Sequence, residues 1–142
     1  MLLGEYEYKV DSKGRLPLPI KFRQEFTNGL TLNRGPENCI VVYRTADFEK
    51  IANALTSQTI TKSKMRRLNR FFFGNAFNMT LDGQGRIVLP PSLRKYAQIN
   101  DVATIVGSNN RIELWNPDLW NAEKLEAEEQ AWQIIESLEE QQ

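Results

Sequence analysis

Hydrophobic and polar positions alternate with period two in two places that lie half a chain apart. Tyr6, Tyr8 and Val10 alternate with polar residues ahead of Asp11, and Phe77, Met79 and Leu81 do the same ahead of Asp82. Period-two alternation is the pattern of a strand with one buried face. Behind each strand comes the same phrase. Asp11-Ser12-Lys13-Gly14-Arg15-Leu16-Pro17-Leu18-Pro19, ending on Phe22 and Arg23, returns 71 positions later as Asp82-Gly83-Gln84-Gly85-Arg86-Ile87-Val88-Leu89-Pro90, ending on Leu93 and Arg94. The prolines predict short helices over 19–26 and from 90 onward, because proline at a first helical position gives up no needed hydrogen bond. Gly35 to Tyr43 and Gly107 to Trp115 then resemble each other as strand segments.

Each copy therefore reads as strand, turn, strand, short helix and a further strand or hairpin. Two copies predict a pseudo-symmetric pair, since a solenoid needs three or more repeats. Between them the period changes to that of a helix. Thr45 is expected to cap a helix over 46–55 that lays Phe48, Ile51, Ala52 and Leu55 on the sheet. Residues 56–61 read as a polar connection, and Met65, Leu68 and Phe72 form the stripe of a second helix. Phe71, Phe72 and Phe73 are assigned to core or subunit interface. Asn116 followed by Pro117 announces a last helix, which over 117–140 would be roughly 36 Å long at about 1.5 Å per residue. The expected divisions are a first repeat over 1–60, a basic helical connection over 61–73, a second repeat over 74–120 and an acidic helix or tail over 121–142.

Charge sharpens this picture. The net charge is zero, yet residues 1–117 carry 17 basic and 10 acidic side chains while residues 118–142 carry one basic and eight acidic. A basic body predicts a polyanionic partner, although Lys62, Lys64, Arg66, Arg67 and Arg70 also suit a solvated helix face. The absence of histidine removes Ser/His/Asp and Cys/His catalysis, and no cofactor, metal site or small-molecule substrate is expected. Cys39, the single cysteine, reads as a small buried hydrophobe on a strand. With neither a basic leader nor a long apolar run, the expectation is a cytoplasmic protein with no membrane contact.

The two turns are the candidate binding elements. Gly14 and Gly85 permit a tight bend, Asp11 and Asp82 can fold back on turn amides, and an arginine stands at each exit. Arginine can bond a phosphate or the edge of guanine through two donors, so Arg15 and Arg86 are the leading candidates, with Lys13 and Gln84 beside them. Whether they read bases or only backbone is open. Pairing of each arginine with its aspartate, as a brace for the turn, is the competing account. Lys21, Arg23 and Arg94, on the short helices, suit surface solvation or a structural ion pair as well as a phosphate contact.

Taken together, the doubled Asp-x-x-Gly-Arg turns with their apolar-Pro-x-x-apolar-Arg helix starts, the Arg70–Phe73 segment and Ile112-Glu113-Leu114-Trp115 resemble the MraZ family of bacterial transcriptional regulators over residues 1 to about 120. The resemblance implies an α+β fold that is mainly β: a duplicated AbrB-like swapped-hairpin barrel with two pseudo-symmetric halves and a C-terminal helix. It further implies a nucleoid-associated, ring-shaped homo-oligomer that binds direct repeats in double-stranded DNA. Such a protein would repress its own operon in the division and cell wall gene cluster, with Arg15 and Arg86 as DNA contacts. The rival reading is an oligomeric protein-interaction scaffold without sequence-specific DNA binding; an enzyme on a small barrel is the weaker third.

Overall fold

In the computed structural model, which describes residues 1–140, the first copy forms β1 (Leu2–Lys9), β2 (Arg15–Pro17), α1 (Ile20–Arg23), β3 (Leu30–Arg34) and β4 (Ile40–Arg44). Helices α2 (Thr45–Thr56) and α3 (Lys62–Phe72) follow. The second copy supplies β5 (Phe77–Met79), β6 (Arg86–Val88), α4 (Pro91–Ala97), β7 (Val102–Asn109) and β8 (Arg111–Trp115), and α5 (Pro117–Glu140) ends the described chain. The last two positions of the predicted acidic tail, 141 and 142, lie outside the described residues.

The mixed α+β fold with two repeats is as the sequence predicts, and the way the copies combine is legible in the strand order. Six antiparallel strands run β1-β7-β8-β4-β3-β5, and β2 pairs with β6 in a separate two-stranded ribbon. Exchanging the copies turns this order into its own reverse. The leading strand of each copy pairs not with its own hairpin but with the other's: β1 lies along β7, and β5 along β3. The ribbon is likewise one strand from each copy, with Leu16 opposite Ile87. Two backbone bonds close the exchange reciprocally, Leu18 N–H to the Gly85 carbonyl at 3.0 Å and Leu89 N–H to the Gly14 carbonyl at 2.8 Å.

Alternation along the strands sorts residues to two cores. On one face Leu32, Ile40, Val42, Ile105, Ile112 and Leu114 meet Leu16, Leu18, Ile87 and Leu89 of the ribbon together with Phe22 and Leu93 of α1 and α4. On the other, Val41, Tyr43, Val106 and Trp115 pack with Cys39 under Phe48 and Ile51 of α2 and Leu119 and Trp120 of α5. Covering on both faces explains the unbroken apolar run Ile40–Tyr43, where a half-exposed strand would alternate. Cys39 is fully buried, and burial pushes its thiol far up from its usual value.

Several local expectations change. Thr45 does not cap α2; it is the first helical residue, Arg44 is the cap, and no side chain caps the end. The carboxylates of Asp47 and Glu25 instead hold the Arg44 guanidinium. The first short helix has only four α residues before it tightens to a 3-10 turn at Gln24–Phe26, with Pro19 at the cap and outside the helix. Strand β5 stops at Met79, so Leu81 lies beyond it. The predicted cap of the last helix is present: the Asn116 side-chain oxygen accepts from the amides of Asp118 and Leu119. In α3, Thr61 accepts from the Lys64 amide, while Phe72 stacks on Phe48 with centroids 5.4 Å apart and Phe71 remains about half exposed.

Both turn glycines sit at positive φ, +76° at Gly14 and +73° at Gly85, where a side chain adds strain of roughly 1–2 kcal/mol. They differ in surroundings. A Cβ on Gly14 would touch only the Leu89 carbonyl at 3.5 Å and Arg94 beyond it, whereas on Gly85 it would collide with Nε of Arg23, which is pinned by its bond to the Leu18 carbonyl. Gly85→Ala is therefore expected to destabilise the protein by about 2–3 kcal/mol and Gly14→Ala by about 1 kcal/mol, measured as the difference in denaturant midpoint.

Candidate nucleic-acid interface

The two turns are built alike, bond for bond. In the first, the Asp11 amide donates to the Arg15 carbonyl and the Gly14 amide to the Asp11 carbonyl, both at 3.0 Å; Asp82, Arg86 and Gly85 repeat this at the same distances. One carboxylate oxygen of Asp11 accepts from the amides of Lys13 and Arg15 at 2.9 Å, and the corresponding oxygen of Asp82 accepts from Gln84 and Arg86 at 2.8 and 2.9 Å. The other oxygen takes Nε of the arginine, at 2.6 Å in the first turn and 2.7 Å in the second. The bracing role read from the sequence for the aspartates is therefore present. It occupies only Nε: neither arginine donates a hydrogen bond from its terminal nitrogens among the described residues.

Burial and pairing set the direction in which the arginines face. Leu16 and Ile87 point into the core, so alternation places Arg15 and Pro17, with Arg86 and Val88, on the opposite face of the ribbon. Arg15 pairs with Val88 and Arg86 with Pro17, which makes the arginines diagonal neighbours, roughly 7–8 Å apart across the ribbon. Their side chains are 32% and 22% exposed, and Val88 between them is 51% exposed. Neither guanidinium is buried in the barrel.

The remaining candidates divide. Lys13 and Gln84 are exposed at the turn tips. Lys21 lies over the Tyr6 ring, its nitrogen 5.0 Å from the centroid. Arg23 and Arg94 are clips: Nε of Arg23 donates to the Leu18 carbonyl at 2.9 Å, and Arg94 donates through Nε and Nη2 to the carbonyls of Ile99 and Asn100 at 3.0 and 2.7 Å. Each packs against the glycine of the other copy's turn, Arg23 over Gly85 and Arg94 near Gly14. Lys95, which the sequence places beside Arg94, shares a cleft with Lys13. Only the exchange of copies brings these two together, across 82 positions of sequence, which is why spacing alone does not find the pair.

Among the described residues no helix is long and apolar enough to cross a membrane, and no three His, Cys, Asp or Glu side chains gather as a metal site.

The model of one protein family, described as "MraZ protein, putative antitoxin-like", matches residues 1–71 and again 72–140. The chain belongs to the MraZ family. Two MraZ relatives from Dehalococcoides mccartyi, each named "Transcriptional regulator MraZ", are 48% identical to it. One, from strain BAV1, aligns over 141 residues, 99% of both chains; the other, from strain 195, aligns over 140 residues, 98% of this chain and 99% of its own. The two MraZ matches meet between Phe71 and Phe72, at the end of α3.

The amide of Arg86, joined by its guanidinium and the amide of Gln84, holds the Asp82 carboxyl down at about 2; Asp11 is lowered by the equivalent donors of Arg15 and Lys13. A carboxyl depressed in the folded state contributes stability above its unfolded value of about 3.9, and that contribution disappears as the pH falls through the folded value. The Asp82 carboxyl resonance is expected to titrate near pH 2. Asp82→Asn should flatten the loss of stability between pH 4 and 2, compared with the unsubstituted protein by denaturation across that range.

Proposed function

We propose that the protein is a sequence-specific DNA-binding transcriptional regulator. The observation that carries this reading is the pair of outward-facing, aspartate-braced arginines on a two-stranded ribbon. A two-stranded ribbon enters the major groove of B-DNA, which is about 12 Å wide. There an arginine whose Nε is already held can present its terminal nitrogens to phosphate oxygens or to guanine. Holding the side chain in advance removes part of the ordering entropy that binding would otherwise incur. The names of the two relatives, both transcriptional regulators, support the same reading.

A single ribbon makes few contacts. We infer that subunits assemble into a ring and engage successive direct repeats upstream of the protein's own promoter, where tethering multiplies weak grips through effective concentration. Occupancy there would repress its own operon in the division and cell wall cluster, and the protein would reside on the nucleoid in the cytoplasm. Arg15 and Arg86 are the principal contacts, Lys13 and Gln84 flank them, Lys21 adds charge, and Arg23 and Arg94 act mainly by holding the turns.

Gel-shift titration on the DNA preceding the gene tests this. Arg15→Ala and Arg86→Ala are each expected to weaken binding by tenfold or more and to flatten the dependence of log K on log salt by about 0.9 for every phosphate that each bound subunit no longer neutralises. Unchanged affinity and slope in both variants would overturn the assignment. A wild-type protein with no preference for that DNA over random duplex would favour a protein-interaction scaffold.

A further inference from the structure

The duplication creates two equivalent clefts, each between the turn of one copy and the short helix of the other, and they are chemically unequal. The cleft between the first turn and α4 has a volume of about 770 Å³ and is lined by Lys13, Arg94 and Lys95 among others, with no acidic residue. Its counterpart, between the second turn and the α1 region, is about 380 Å³ and contains Arg23 with Asp82. The 71-residue correspondence shows how the difference arises: Lys13 is matched by Gln84, and Lys95 by Gln24. Three cations line one cleft, and one, Arg23, lines the other, where the Asp82 carboxylate is already paired with Arg86. Lys13 and Lys95 are both exposed, and neither side chain forms an ion pair or hydrogen bond among the described residues. Arg94, in the same cleft, is fixed by its bonds to Ile99 and Asn100.

We propose that the larger cleft is a phosphate-binding site for the DNA backbone, so that each protomer grips duplex DNA with one strong half and one weak half. This rests on the ribbon reading given above and deepens it. A module with two equal halves is matched to an inverted repeat, because operator symmetry mirrors protein symmetry. Halves of unequal charge give the protomer a direction on DNA. Successive protomers can then lie in one orientation, which a direct repeat requires. The sugar-phosphate backbone fits the cleft because two mobile ammonium groups and a fixed guanidinium supply charge without the geometry needed to read a base.

The test compares three double variants on duplex DNA from upstream of the gene, by fluorescence anisotropy across a salt series. Lys13→Ala/Lys95→Ala is expected to reduce affinity at least tenfold and to flatten the salt slope by about 2 per bound subunit, with thermal stability unchanged because both side chains are exposed. Gln84→Ala/Gln24→Ala should leave the salt slope unchanged, because neither side chain carries charge, and Gln84→Lys/Gln24→Lys should steepen it. Equal effects of the two alanine doubles would overturn the asymmetry. So would a Lys13→Ala/Lys95→Ala protein that binds DNA as wild type does; if it also changed the assembled mass in light scattering, the cleft's occupant would be an acidic segment of a neighbouring copy. Loss of response to Arg15→Ala and Arg86→Ala would instead sink the ribbon reading itself, so the two failures are separable.

Discussion

The structure depends on the reciprocal exchange of backbone hydrogen bonds between the turn of one copy and the strand of the other. Leu18 donates to Gly85 and Leu89 to Gly14, and between these bonds the β2–β6 ribbon places Leu16 against Ile87. Neither ribbon strand exceeds three residues. A two-stranded ribbon of that length is not stable alone. It persists because its inner face is part of the main core, where removing a side chain such as Leu16 costs about 2–5 kcal/mol. The swapped pairing of β1 with β7 and of β5 with β3 anchors both ends of the exchange. Each turn thus projects from a scaffold built by the opposite copy, and neither copy could position its arginine without the other.

The bracing aspartates serve presentation more than stability. Exposed ion pairs contribute roughly 0–1 kcal/mol, and these two are partly open to solvent. Their larger effect is conformational. One oxygen gathers two turn amides and the other fixes the arginine Nε, so a single carboxylate sets both the bend and the orientation of the guanidinium. Stabilising the turn and binding a polyanion are therefore compatible uses of the same arginine, because they draw on different nitrogens. The competition read from the sequence, between a brace and a contact, dissolves in this geometry.

What was legible in the sequence was whatever depends on local period and local turn chemistry. The alternation ahead of each aspartate, the glycine at positive φ and the Asn116 cap all arise from interactions within a few residues. Thr45 is already helical, so the cap falls on Arg44, whose side chain is held by Asp47 and by the sequence-distant Glu25, a contact that local pattern does not reveal. The proximity of Lys13 to Lys95 and of Arg23 to Gly85 was invisible for a different reason. It follows from which copy pairs with which, and a repeat pattern is the same whether its units pack side by side or exchange strands.

Fusing the two copies in one chain has a consequence that a homodimer cannot reach. In a symmetric dimer, any change at one turn appears at both, so the two clefts must carry the same charge. Here the shared framework is held fixed by the elements that stayed alike, the Asp, Gly and Arg of each turn and the arginine clip of each short helix. Positions that touch only solvent were free to differ, and they differ as Lys against Gln at both places that line a cleft. The backbone symmetry is therefore preserved where packing demands it and broken where only electrostatics is at stake. The fused chain thus combines a scaffold stiff enough to present two turns together with surfaces independent enough to make the two turns unequal.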